Sequence, residues 1–413
     1  MNITELEKII AQIKKYQLED EIRDIENWLG KLNEKQIGNF LSLEIYLLKP
    51  IEKIKSLLVS AKALNGDYYL EDIKLINEAK TDEIANWLSN VAMNANSLES
   101  EYHREDMKLI ADAKNDVIAN YLSDVSMDAN SLESEYHRED MKLIADAKND
   151  VIANYLSDVS MDANSLESEY HREDMKLIAD AKNDVIANCL SRVSMDANSL
   201  ESEHHREDMK LIADAKDSEI ANCLSIVSMN VNSLESEHHI EDMKLIADAK
   251  GYVIACYLSD VSMDADSLES EYHRDDMKLI ADAKSDKIAW YLGMIAKNKY
   301  LLKSKYHRED MELIANAKSD KIAWYLEIIA KNKYLLKSKY HREDMKRLAN
   351  AKNDKDANEI YDNIIKQYEV KNKKEESNYV TFQEKIDAIH QNAVEYSDGD
   401  TTKELDDSVF TLK

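Results

Sequence analysis

A histidine followed by two acids recurs along the chain in "YHRED" and its variants, with His103, His137, His171, His205, His239, His273, His307 and His341 in phase. Imidazole and carboxylate are metal ligands and also the working groups of acid–base catalysis. Ligands to one metal must all lie about 2 Å from it. Residues in phase on successive structural units are separated by the width of a unit, so they cannot share an ion. His204 and His238 add neighbours in sequence, but adjacent residues on a helix do not face each other. The expectation is a surface or capping histidine at the start of a helix. The acid pairs, such as Glu105 and Asp106, recur in every unit. Catalysis would need one such pair in a closed pocket that shifts its pKa, so solvated first-turn carboxylates are expected. The chain has no glycine-rich phosphate loop and no Ser or Cys in a motif with a base. These residues give no catalytic group, no metal ligand and no cofactor, and the reading is a protein that is not an enzyme.

A second set of residues has the chemistry of recognition. "KIAWYL" occurs at 287–292 and 321–326, where an earlier unit reads "VIANYL" at 117–122. Ile, Ala and Leu stay, while Val becomes Lys and Asn becomes Trp. Four positions vary together. In the two C-terminal examples they are Lys287, Trp290, Tyr291 and Met294, then Lys321, Trp324, Tyr325 and Ile328. Their +3, +1, +3 spacing places them on one face of a helix, and the unchanged residues on another. Exposed aromatic residues are frequent binding anchors. These eight residues are therefore the expected binding site, with the tryptophans side by side on adjacent helices.

The elements that must carry both sets follow from a 34-residue period. "EYHREDMKLIADAKNDVIANYLSDVSMDANSLES" fills 101–134 and recurs unchanged at 135–168, and nine related units run from 67 to about 372. Identical neighbours indicate recent duplication, so substitutions carry more information than identities. Each unit reads as two helices. The first, over 103–114, has acids in its first turn and Lys114 in its last, as the helix dipole favours. The second begins after Thr81, Asn115, Asn149, Asn183, Asp217, Gly251, Ser285, Ser319 or Asn353 in successive units. All nine are N-cap formers. It is expected to run to about Ala129, with Ile118, Leu122, Val125 and Ala129 on its inner face. Leu132 and Tyr136 are expected to fill the gap between units.

Composition agrees with such a chain. One proline and six glycines among 413 residues suit a nearly all-helical protein, because each breaker costs roughly 1 to 3 kcal/mol inside a helix. The net charge of −28 argues against nucleic acid, which is bound by a basic stripe. The charge is uneven: unit 101–134 carries −5, whereas 271–304 and 305–338 each carry +2. No run approaches the ~18 apolar residues of a membrane span. Cys189, Cys223 and Cys256 lie in no CxxC spacing. An odd count without a framework reads as free thiols in a reducing, cytoplasmic setting.

A hairpin of this size cannot bury its apolar face alone, and stacked hairpins can. The fold class expected is all-α: an α-solenoid with a helical N-terminal cap over 1–66, repeats over 67–372, a further helix within 373–396 and a flexible acidic tail over 397–413. The architecture and period resemble the tetratricopeptide-type repeats, but that family's Trp…Leu-Gly…Tyr…Ala…Phe…Pro pattern is missing from "HREDMKLIADAKNDVIANYLSDVSMDAN". The ankyrin "TPLH" signature is missing too. The resemblance implies a scaffold that holds a protein or peptide on its variable face. In format alone the hairpin with a varying inter-helix turn ("KND", "KDS", "KGY", "KSD") also resembles the repeats of transcription-activator-like effectors, which implies base reading. Two alternatives thus stand beside the scaffold: a nucleic-acid-binding repeat protein and an architectural rod that self-assembles. Partner identity and oligomeric state are not legible.

Overall fold

The computed structural model describes residues 69–372. The expected N-terminal cap, the helix within 373–396 and the acidic tail lie outside the described residues. The chain divides into two compact units, 1–302 and 303–413, each described by itself. The described residues form 26 helices and no strand, and no helix among them is long and apolar enough to cross a membrane.

Repeat 101–134 shows why the sequence folds as it does. Its first helix, His103–Asp112, is acidic at the start and buries Met107 and Ile110. The chain then turns through Ala113, whose N–H bonds the Ile110 carbonyl. The second helix, Asp116–Val125, opens at Asn115, whose side chain accepts from the Ile118 N–H. It buries Ile118, Ala119, Leu122 and Val125 against the first. The same cap bond forms at Thr81, Asn149, Asn183, Asp217, Ser285, Ser319 and Asn353. Gly251 stands at that place with extended backbone and no side chain to offer.

The repeat differs from the sequence expectation in one element. Its second helix stops short of Ala129, and a third, short helix, Ala129–Glu133, follows. Asp128 caps this helix by accepting from the Ser131 N–H. Ala129 is accordingly exposed, and its place on the inner stripe is withdrawn. The final repeat departs in the other direction. After Asn353 a single helix runs from Asp354 to Asn372, with no third helix.

Within the first unit these repeats stack as an α-solenoid. Each second helix packs on the first helix of its own repeat and on both longer helices of the next. Polar bonds repeat at every junction. Lys114 Nζ donates to the Ala147 carbonyl, 3.0 Å, and Lys148 to Ala181, 3.2 Å, so a lysine of one repeat caps the end of the next first helix. Arg138 Nε lies 2.8 Å from Glu105 and Arg172 Nε 2.8 Å from Glu139, all roughly half exposed. Such exposed pairs contribute about 1 kcal/mol or less each. Where Ile240 replaces the arginine, Lys244 takes up Glu207 at 2.8 Å instead. The second unit repeats the pattern: Lys318 Nζ donates to the Ala351 carbonyl, 2.9 Å, and Arg342 Nε to Glu309, 2.6 Å.

Candidate interaction surface on the second helices

The histidines have a different place from the one the sequence suggested. In the first unit His103, His137, His171, His205, His239 and His273 are 0–1 % exposed. Each donates from Nε2 to an aspartate of the preceding repeat: His103 to Asp72 at 3.0 Å, His137 to Asp106 at 2.9 Å, His171 to Asp140 at 2.8 Å. The series continues through His205–Asp174, His239–Asp208 and His273–Asp242. Each Nδ1 faces a buried serine of the short helix just before it, as His137 does Ser131 at 3.0 Å. The preceding tyrosine covers the junction, with the Tyr102 ring 4.7 Å from that of His137. The expected surface histidines and solvated acid pairs are thus corrected. Of each pair the first acid stays on the outer side, and the second, an aspartate, is buried.

A serine hydroxyl, an imidazole and a carboxylate in line form the set used for nucleophilic catalysis. Here Ser131 and His137 are 0 % and Asp106 2 % exposed, which leaves the hydroxyl without a path to a substrate. The line ties repeats together instead. Burial pushes the carboxyls of Asp106, Asp140 and Asp174 above the usual range, and the histidine bond pulls them partly back. In the second unit His341 donates to Asp310 at 2.8 Å, but Leu335 stands where the serine would be. His341 Nδ1 is buried with no hydrogen-bond partner among the described residues. Among the described residues no three His, Cys, Asp or Glu side chains converge to hold a metal.

The face singled out on the second helices splits in two. In repeat 101–134 the first and fourth of its four positions, Val117 and Asp124, are exposed, while Asn120 and Tyr121 are half-buried. In the helix Asp286–Ala296 of the first unit, Lys287 is exposed and Trp290 and Met294 are half-buried, whereas Tyr291 is 7 % exposed. In the helix Asp320–Lys331 of the second unit, Lys321 is exposed and Trp324 and Ile328 are half-buried, whereas Tyr325 is 4 % exposed. The two tyrosines therefore leave the expected contact surface.

Tyr325 shows what the third position does. It stacks on Tyr361 with ring centres 4.5 Å apart, and its hydroxyl bonds Asn358. This row is the seam between neighbouring second helices. Burial holds the Tyr325 phenol above its ordinary pKa. The tryptophans lean on these seam tyrosines, Trp290 at 5.3 Å from Tyr291 and Trp324 at 4.8 Å from Tyr325. Their other faces remain partly open beside the Lys287 and Lys321 positions one turn earlier. Trp290 belongs to the first unit and Trp324 to the second, and each patch is defined within its own unit.

Sequence reasoning gave no separate role to two exposed tyrosines on the short helices that follow. Tyr300 is 83 % and Tyr334 47 % exposed. Lys333 Nζ lies 5.2 Å from the Tyr334 ring centre. The signal was the replacement of "NSL" by "YLL" in these two repeats, a change to a large aromatic residue at an outward position.

The geometry is that of a tandem helical-hairpin repeat protein. No family model matches the chain, and no curated protein matches it.

Proposed function

We propose that the protein is a non-enzymatic scaffold for a protein or peptide ligand, held on the outer face of its second helices in the manner of tetratricopeptide-like solenoids. One observation carries this reading. Outer positions change from Val117, Asn120 and Asp124 to Lys287, Trp290 and Met294, while the buried Ile, Ala and Leu beside them do not change. A solvated face has no use for a large aromatic residue, whereas a binding face does. Lysine beside the aromatic ring, and the positive charge of these two repeats, suit an acidic ligand segment with an aromatic side chain.

The inter-helix turns, the place where a base-reading repeat would vary, are engaged internally. Asn115 caps its own helix and donates to Asp150 at 2.8 Å, and Lys114 holds the Ala147 carbonyl. Their polar atoms are used within the stack, which favours the peptide reading over nucleic acid.

The test is fluorescence anisotropy with labelled acidic peptides that contain a tryptophan or phenylalanine, selected from a display library on the full chain. Replacing both Trp290 and Trp324 with Asn should weaken binding by about tenfold or more, the loss of roughly 1.4 kcal/mol typical of an anchor residue. Equal affinity in the double variant would remove the proposed surface.

A further inference from the structure

The seam between second helices contains a cysteine pair. Cys223 lies on the helix Ser218–Val227 and Cys256 on the next second helix, Tyr252–Ser262. Their sulfurs are 3.2 Å apart. The register explains the contact. Cys223 occupies the third variable position of its repeat and Cys256 the second position of the following one. In the second unit the same two positions are Tyr325 and Asn358, which are hydrogen-bonded. Side chains at these places therefore meet across a junction, and both are cysteine at this one alone of the nine units. Cys189 sits at the third position too, but it is 1 % exposed and the second position after it is Asn222.

We propose that Cys223 and Cys256 form a peroxide-responsive thiol pair that closes to an inter-repeat disulfide. Cys256 is half-buried and reachable by a small oxidant, whereas Cys223 is 4 % exposed. Cys256 is the attacking group. Its thiolate sulfur displaces hydroxide from hydrogen peroxide and becomes a sulfenic acid, with water as the by-product. The Cys223 sulfur then attacks the sulfenic sulfur, the S–O bond breaks, and a second water leaves. Overall two thiols and one peroxide give one disulfide and two waters, the thiols oxidised and the peroxide reduced. Donation from the Cys223 thiol holds Cys256 below the ordinary thiol value and Cys223 above it, which matches these roles. The product ties two neighbouring second helices by a covalent bond at their seam.

The experiment uses the full chain, reduced and desalted, then treated with hydrogen peroxide, alkylated and digested with trypsin without reductant. A linked peptide joining residues 217–244 and 251–274 is expected, lighter by two hydrogens than the sum of its parts. Thiols titrated after denaturation should fall from three to one, and dithiothreitol should restore them. Cys223→Ser should abolish the link and leave Cys256 as a sulfenic acid trapped by dimedone. Cys189→Ser should leave the link intact. A link through Cys189, a link between chains, or progress of Cys256 to the sulfinic acid with Cys223 still reduced would overturn the proposal.

Discussion

The first helices and the second helices of one repeat have opposite histories of change. On the first helix the His and Asp of "YHRED" stay the same from Asp72 to His341, and both are buried at repeat junctions. On the second helix the outer positions run through Val, Glu and Lys, or Asn, Cys and Trp. Recent duplication accounts for some of the sameness, but the structure gives the rest a physical cause. Losing the histidine would leave a buried aspartate carboxyl without its partner, and losing the aspartate would do the same to the imidazole. A change at a fully outer position, such as Val117 or Lys287, leaves nothing buried behind. The comparison assigns cohesion to the first-helix row and freedom to vary to the outer positions of the second.

The largest effect should come from breaking a junction. His171→Ala removes the partner of Asp140 and of Ser165. It should cost about 2–5 kcal/mol, because the buried Asp140 carboxyl and Ser165 hydroxyl both lose their hydrogen-bond partner. Urea denaturation followed by helical circular dichroism measures it. A loss below about 1 kcal/mol would return the histidines to the surface role first expected for them.

Core and outer positions of one second helix sharpen the same contrast. Leu156 is 0 % exposed, and Leu156→Ala should cost about 2–5 kcal/mol. Asp158, two residues on and exposed, should tolerate Ala within about 0.5 kcal/mol. Equal losses would invalidate the division of the helix into faces.

The smallest effect concerns pH. Burial raises the carboxyl pKa of Asp106, Asp140, Asp174 and Asp310 above the unfolded value. The folded chain then binds protons more readily than the unfolded chain between the unfolded and the raised value. Stability from these groups is greatest below that window and declines as pH rises through it. Mild acidification also relieves the repulsion within a chain of net charge −28. The thermal midpoint should therefore rise on lowering the pH from neutrality toward the upper carboxylate range, and Asp140→Asn should flatten that slope.

Much of this arrangement was legible. The N-cap series changes identity but keeps its chemistry, and each side chain found there makes the cap bond. The short third helix was missed although its signal has the same form. Asn94, Asp128, Asp162, Asp196, Asn230, Asp264, Asn298 and Asn332 are all Asn or Asp, and each accepts from the N–H three residues on. The histidine row was misread for a different reason. First-turn acids satisfy the helix dipole in solvent or when buried, so local sequence does not say which of Glu105 and Asp106 turns inward. The partner lies 31 residues away, across a junction that periodicity implies but does not orient. Tyr291 and Tyr325 were placed outside because they vary, yet a seam between neighbours varies as freely as a surface when both sides change together.

The central claim is that the first-helix row holds the stack and that the outer second-helix face does not. Side-by-side urea unfolding of the full chain, His171→Ala and the Trp290→Asn/Trp324→Asn double variant tests it most directly. The account predicts a clear fall in midpoint for the histidine variant and a double tryptophan variant within about 1 kcal/mol of the parent. A double variant destabilised as much as His171→Ala would make the tryptophans part of the core and contradict the account.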